Sequence, residues 1–187
     1  MMVNRIIVLV FLISFYKVSW AQCVDAIDSF IVWHDYDQLR FEDFKGVQDS
    51  SFLVYGFPAN GAAVTKLEIS LTFNDDENPT VIVVNKFLKE KSWIKVNKPH
   101  VLSHEQGHFD ISEVFARKIR KAVDSLMSCQ IKDEQLYELE IHKLLQAKAE
   151  YQKRYDEQTH HGFILEKQKE WEDAIKKELY ELKKYAK

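Results

Sequence analysis

The run His104-Glu105-Gln106-Gly107-His108 holds the residues best spaced for chemistry. On a helix of about 3.6 residues per turn, two histidines four positions apart share a face and sit about 6 Å apart along the axis. Both imidazoles can then converge on one cation, the arrangement of an H-E-x-x-H metal site. Glu105 projects about 100° away from His104. It can reach a water activated by the cation without binding the cation itself, which is where a general base belongs. The pattern therefore predicts metal-assisted hydrolysis, with His104 and His108 as metal ligands and Glu105 as the base. Gly107 costs about 0.5 to 1 kcal/mol against alanine in mid-helix, and it would let a neighbouring strand or a substrate come close.

A catalytic zinc takes three protein ligands and keeps one position open. A third partner is offered by Tyr155-Asp156-Glu157-Gln158-Thr159-His160-His161-Gly162. Asp156 is a carboxylate option. His160 and His161 are neighbours, and in an extended stretch neighbouring side chains point to opposite faces, so at most one of them meets the metal. Spacing does not choose among these three. Tyr155 is a candidate donor to the oxyanion that forms when water attacks a carbonyl. Asp110, two residues beyond His108, could hold an imidazole or a loop, since ligating histidines usually donate their other N–H to such a group. His34, His100 and His142 read as surface or supporting residues.

Strands and then helices must position these groups. From Cys23 to about Trp93, short β-branched or aromatic runs at 30–33, 51–55, 63–73 and 80–84 read as strands. They are punctuated by turn signals at Gly46, at 58–61 and at 74–79. Leu67, Ile69, Leu71 and Phe73 alternate with Glu68, Ser70 and Thr72, giving an antiparallel strand with one buried face. Pro99 suits a first helical position, and apolar residues then recur at helical intervals to about Met127. A second helix is predicted from Asp133, its N-cap, to Tyr155, burying Leu136, Leu139, Leu144 and Leu145. A third runs from Ile164 to Lys184 on a stripe of Leu165, Trp171, Ile175, Leu179 and Leu182. Trp33, Trp93 and Trp171 read as core, and the charged run from Lys176 to Lys187 as a solvated face. Strands first and three long helices afterwards define an α+β class rather than a βαβ winding.

Composition narrows the function. Across 187 residues, 46% are hydrophobic and 29% charged, with five glycines and three prolines, which fits one packed domain. A formal charge of −3 leaves no electrostatic footprint for nucleic acid, and that class is excluded. Arg5, the apolar run Ile6 to Tyr16 and the small-x-small site Ser19-Trp20-Ala21 read as a signal peptide over residues 1–21. That run is well short of the roughly 20 apolar residues of a membrane span. The mature domain, 22–187, is then exported, periplasmic or secreted, with no stable membrane span. The residues before Cys23 do not suit lipoprotein processing, and an oxidising compartment would favour joining Cys23 to Cys129.

The run Leu102 to Ile111, together with Tyr155-Asp156-x-x-Thr159-x-His161-Gly162, resembles a bacterial domain family of unknown function described as predicted secreted zinc-dependent proteases. The likeness extends upstream to Leu39 to Gly46, Ala62 to Thr65 and Phe87 to Trp93. It implies a zincin-like fold, a bound Zn2+ and a peptide or protein substrate, and it selects His161 as third ligand over His160. The predicted reading is an exported zinc metalloendopeptidase, with the strand from Ala63 to Phe73 pairing with an extended substrate. Two rivals stand beside it. One is a non-catalytic exported binding module whose structural metal has four protein ligands, and the other is a latent protease completed by a partner.

Overall fold

The computed structural model describes residues 29–35, 37–48, 53–54, 57–73 and 79–187, with backbone only for 53–54 and 57–58. Strands come first in the chain: β1 (Phe30–Val32), β2 (Leu53–Val54), β3 (Phe57–Pro58), β4 (Gly61–Ala62), β5 (Thr65–Thr72), β6 (Thr80–Leu88) and β7 (Trp93–Ile94). Helices α1 (Pro99–Ser128), α2 (Glu134–Thr159) and α3 (Leu165–Glu181) follow. This is the expected α+β order. The segment read as a signal peptide and Cys23 lie outside the described residues, and with them the Cys23–Cys129 pairing. Cys129 is exposed at the C-terminal cap of α1. Among the described residues no helix is long and apolar enough to cross a membrane.

All strand pairs are antiparallel. β6 lies between β1 and β5, in register Phe30 to Leu88 on one side and Thr65 to Phe87 through Thr72 to Thr80 on the other. β2 pairs with β3, and β4 with β7. The alternation in β5 works as expected, since Leu67, Ile69 and Leu71 pack towards the helices. β6 continues four residues past the predicted end because Asn85 and Phe87 keep its inward alternation going. β4 and β7, two residues each, carry too little periodicity to be read from sequence.

Helix α1 buries residues on two sides, polar as well as apolar, because it is covered by the sheet on one and by the later helices on the other. Ala116, Ile119 and Val123 meet the sheet and the start of α2. Ile111, Val114 and Phe115 meet Tyr155 and the α3 residues Ile175 and Leu179. Arg117 and Glu113 are buried beside these residues and pair at 3.1 Å. Arg120 joins the same Glu113 oxygen at 3.0 Å, while Arg117 also reaches Asp35 at 2.9 Å and the Leu179 carbonyl at 2.7 Å. These guanidinium groups tie the end of α3 and the segment after β1 to α1.

Three expectations need correction. Leu136 and Leu139 are 40% and 49% exposed, and α2 buries Tyr137, Ile141, Tyr155 and Thr159 instead. Tyr137 wins because its ring packs edge-on to Phe73 and its hydroxyl donates to the Ile131 carbonyl at 2.7 Å. Leu165 is exposed, and Gln168 takes the buried position on α3. Finally, α2 does not stop at Tyr155 but runs on to Thr159, so Tyr155 and Asp156 are helical residues. Its N-cap is Asp133 as expected, accepting from the Gln135 amide at 3.0 Å. Trp93 is buried, and Trp33 and Trp171 are partly buried against the α1 and α3 core.

Candidate metal centre

Helical spacing places His104 and His108 on the side of α1 that faces α2. Their Nε2 atoms are 3.2 Å apart. Asp156 of α2 brings Oδ1 to 3.1 Å from His104 Nε2 and 3.0 Å from His108 Nε2. These three ligand atoms lie within 4.8 Å of one another, the spacing of a group that could hold a metal ion. His161 is beside them, its Nδ1 3.4 Å from the same Asp156 oxygen, though it does not belong to that mutually close group. Tetrahedral ligands about 2.0 to 2.1 Å from a zinc lie roughly 3.3 Å from one another. The separations found here are near that edge length, and two imidazole nitrogens with one carboxylate oxygen suit a borderline divalent cation.

The turn after α2 decides which histidine faces the site. His160 and His161 both have φ of 52° and Gly162 has 80°, so the segment is left-handed rather than extended as predicted. The turn is closed by His161 N–H on the Asp156 carbonyl at 2.9 Å and Ile164 N–H on the Thr159 carbonyl at 2.9 Å. Thr159 Oγ1 donates to the Tyr155 carbonyl at 2.7 Å and accepts from Gly162 N–H at 3.3 Å. His161 is thereby turned towards Asp156, while His160 is exposed and packs towards Phe163. Gly162 needs its missing side chain twice, for its φ and because a Cβ there would lie 2.8 Å from His104 Cβ.

Gly107 has a similar reason, though not the one expected. A Cβ on it would sit 2.1 Å from the Tyr155 hydroxyl, so the glycine admits a tyrosine from α2, not a strand or a substrate. Tyr155 is fully buried and stacks on His104 at 4.7 Å between centroids. Its oxygen lies 3.1 Å from both the His104 carbonyl and Gln168 Oε1, and accepts from Gln168 Nε2 at 2.8 Å. Burial pushes this phenol up, with the charges of Glu105, Glu172 and Asp156 acting the same way against the Gln168 bond. The expected oxyanion donor thus has its hydrogen-bonding capacity used inside the protein, and its geometry is that of a support for His104.

The His104 and His108 imidazoles each have a glutamine at the other nitrogen. His104 Nδ1 is 3.2 Å from Gln168 Oε1, and His108 Nδ1 bonds Gln152 Oε1. Burial works against charge on His108, but the bond and charge of Asp156, the charge of Glu105 and the Gln152 bond outweigh it and push the pKa up to about 9. Burial would raise the Asp156 carboxyl, yet hydrogen bonds from His104, His108 and His161 hold it well below the usual carboxylate range.

Glu105 is buried on the sheet side of α1. Its Oε2 accepts Ala63 N–H at 2.7 Å, and Oε1 would be 2.9 Å from a Cβ on Gly61. The short β4 strand therefore shapes the pocket of this carboxylate. Asp110 holds a loop and no imidazole: it accepts from Trp33 Nε1 and Gln106 Nε2, both at 2.8 Å, and burial pushes its carboxyl up. His34 and His142 are exposed. Sequence reasoning missed Gln152, Gln168, Gly61 and Ala63. Gln168 left one signal, a polar residue where the α3 period calls for an apolar one.

Fold and geometry together define an α+β protein with a candidate divalent-metal centre built by two helices and the turn that ends the second. Residues 86–162, from within β6 to Gly162, match a family described as bacterial protein of unknown function, DUF922. The matched stretch contains every residue of the metal group, together with Glu105, Gln152 and His161. No curated protein and no solved structure matches the chain.

Proposed function

We propose that this chain is an exported, zincin-like zinc-dependent peptidase. The observation that carries the reading is the convergence of His104 Nε2, His108 Nε2 and Asp156 Oδ1 within 4.8 Å, with the Glu105 carboxylate on the same helix turn. His104 and His108 would hold the zinc, with Asp156 as third ligand by geometry and His161 by resemblance. When bound, zinc supplies Lewis acidity towards a carbonyl oxygen and makes water a stronger acid near neutral pH.

The chain's own residues do the rest. Glu105, oriented by Ala63 N–H, accepts a proton from the attacking water and returns it to the leaving amine. Gly61 leaves room for that carboxylate. Tyr155 keeps the His104 ring in place. In the three-stranded sheet β5 is an outer strand that begins two residues after Ala63, which supports pairing of an extended peptide along it. Export rests on the apolar leader and its small-x-small site.

A second reading is favoured by one observation, the approach of His161 to Asp156 at 3.4 Å. Four protein ligands would make a closed, structural site in a binding module. Glu105→Gln separates the two. With zinc content and melting temperature unchanged, peptide-library cleavage should fall by about two to four orders of magnitude, the contribution of a general base. Full activity in the variant would overturn the mechanism. A zinc-loaded wild type that cleaves nothing would favour the binding module.

A further inference from the structure

The amides of Gln152 and Gln168 have only one consistent orientation. Gln152 Nε2 donates at 2.9 Å to the His108 carbonyl, which can only accept. Its Oε1 must therefore be the atom against His108 Nδ1. Gln168 Nε2 is 3.2 Å from Glu172 Oε1, another atom that can only accept, and 2.8 Å from the Tyr155 oxygen. Its Oε1 is then the atom facing His104 Nδ1 at 3.2 Å. Glu172 is itself fixed by the hydroxyl of Ser103, the residue before His104.

An amide oxygen cannot donate, so each Nδ1 must carry the hydrogen. Nε2 of each ring is then the atom left to face Asp156 Oδ1, at 3.0 to 3.1 Å: it donates to that oxygen while the ring is protonated, and in the neutral ring it presents the lone pair that a shared cation would take. We propose that Gln152 and Gln168 are positioning residues that hold His108 and His104 in the Nδ1–H tautomer, aiming both Nε2 lone pairs at the candidate metal centre. This rests on the metal reading above and assigns the supports of that site. The two amides come from different helices, so α3, which supplies no ligand, still sets the ligand geometry of α1. Both supports are neutral. A carboxylate in their place would add charge to the ring, whereas an amide fixes its orientation alone.

Long-range 1H–15N spectra of the full chain, with and without zinc, combined with zinc titrations, test the proposal. In the zinc-loaded protein both rings should show Nδ1–H protons in slow exchange with solvent and Nε2 shifts of a metal ligand. Gln152→Met and Gln168→Met, which keep length but lose the acceptor, should each weaken zinc binding by about 10- to 100-fold. Gln152→Glu restores an acceptor oxygen and should recover most of that loss, a rescue that a merely space-filling role would not give. Metal on Nδ1 of either ring, or methionine variants that bind zinc as tightly as wild type, would overturn the proposal. If the wild type takes up no zinc, yet its slow Nδ1–H protons are present and vanish in the methionine variants, the metal reading falls and the tautomer assignment stands. If wild type shows neither zinc nor those protons, both fall. Should Gln168→Met not fold, the Gln152 pair of variants decides.

Discussion

Replacing Gly107 by alanine should destabilise the protein, against the helix scale. On propensity alone a mid-helix glycine-to-alanine change stabilises by about 1 kcal/mol. Here the new Cβ would lie 2.1 Å from the Tyr155 oxygen and 2.7 Å from its Cζ. The ring cannot swing aside freely, because it stacks on His104 and packs edge-on to His108 and Trp171 with no exposure. Overpacking of this kind costs about 1 to 3 kcal/mol. Moving the hydroxyl off the His104 carbonyl and Gln168 forfeits two hydrogen bonds of about 0.5 to 1.5 kcal/mol each. The balance is a net loss of roughly 1 to 5 kcal/mol, read as a lower urea midpoint with unchanged slope. The control is the same substitution in a Tyr155→Phe background, where the nearest atom has gone and the cost of the alanine should shrink by about 1 kcal/mol or more. A Gly107→Ala protein as stable as wild type, or additive behaviour in the cycle, would refute the packing argument.

Other substitutions probe other parts. Gly162→Ala should cost about 2 to 4 kcal/mol in thermal or urea unfolding, from left-handed strain and the 2.8 Å approach to His104 Cβ; a neutral result would mean the turn relaxes. Zinc titration of single variants ranks the third ligand: Asp156→Ala should lose zinc and His160→Ala keep it, while zinc retained in Asp156→Ala but lost in His161→Ala would restore the choice made by resemblance. Arg117→Met should destabilise by about 3 kcal/mol because it strips one partner from buried Glu113. Asp35→Asn, at the exposed end of the same cluster, should cost less than about 1 kcal/mol, and equal losses would show that the two ion pairs are not distinguished by burial.

The α+β order, the strand β5 and the extent of α1 were legible because each rests on a local period that packing did not override. His104 and His108 shared a face for the same reason. The path of α2 was not legible: Leu136 and Leu139 compete with Tyr137 and Ile141 for one stripe, and only Phe73 and the Ile131 carbonyl, far away or outside the helix, break the tie. The end of α2 was misread since Asp156, Thr159 and His160 are poor helix formers, while the bonds that extend the helix come from a side chain and a left-handed turn. Asp156 was one of three candidates, and its place beside both Nε2 atoms depends on which turn of α2 lies against α1. The glutamine supports had no sequence signature of their own, as an amide on a helix is ordinarily a solvated residue.

Gly107 lies about 21 residues before the end of α1, and Tyr155 about 21 residues after the start of α2. At about 1.5 Å per residue the two arms of this helical hairpin are each roughly 31 Å long. A connection at one end is a poor ruler for such arms, since tilting one by about five degrees would displace its far end by nearly 3 Å at that length. The notch of Gly107, filled by Tyr155, acts as a gauge at the far end. It sets Asp156, the next residue, level with the two histidines whatever the connection does. The linker from Cys129 to Asp133 is therefore the place where insertions should be tolerated, and the separation of the two motifs along the chain is free to drift while their alignment in space is not.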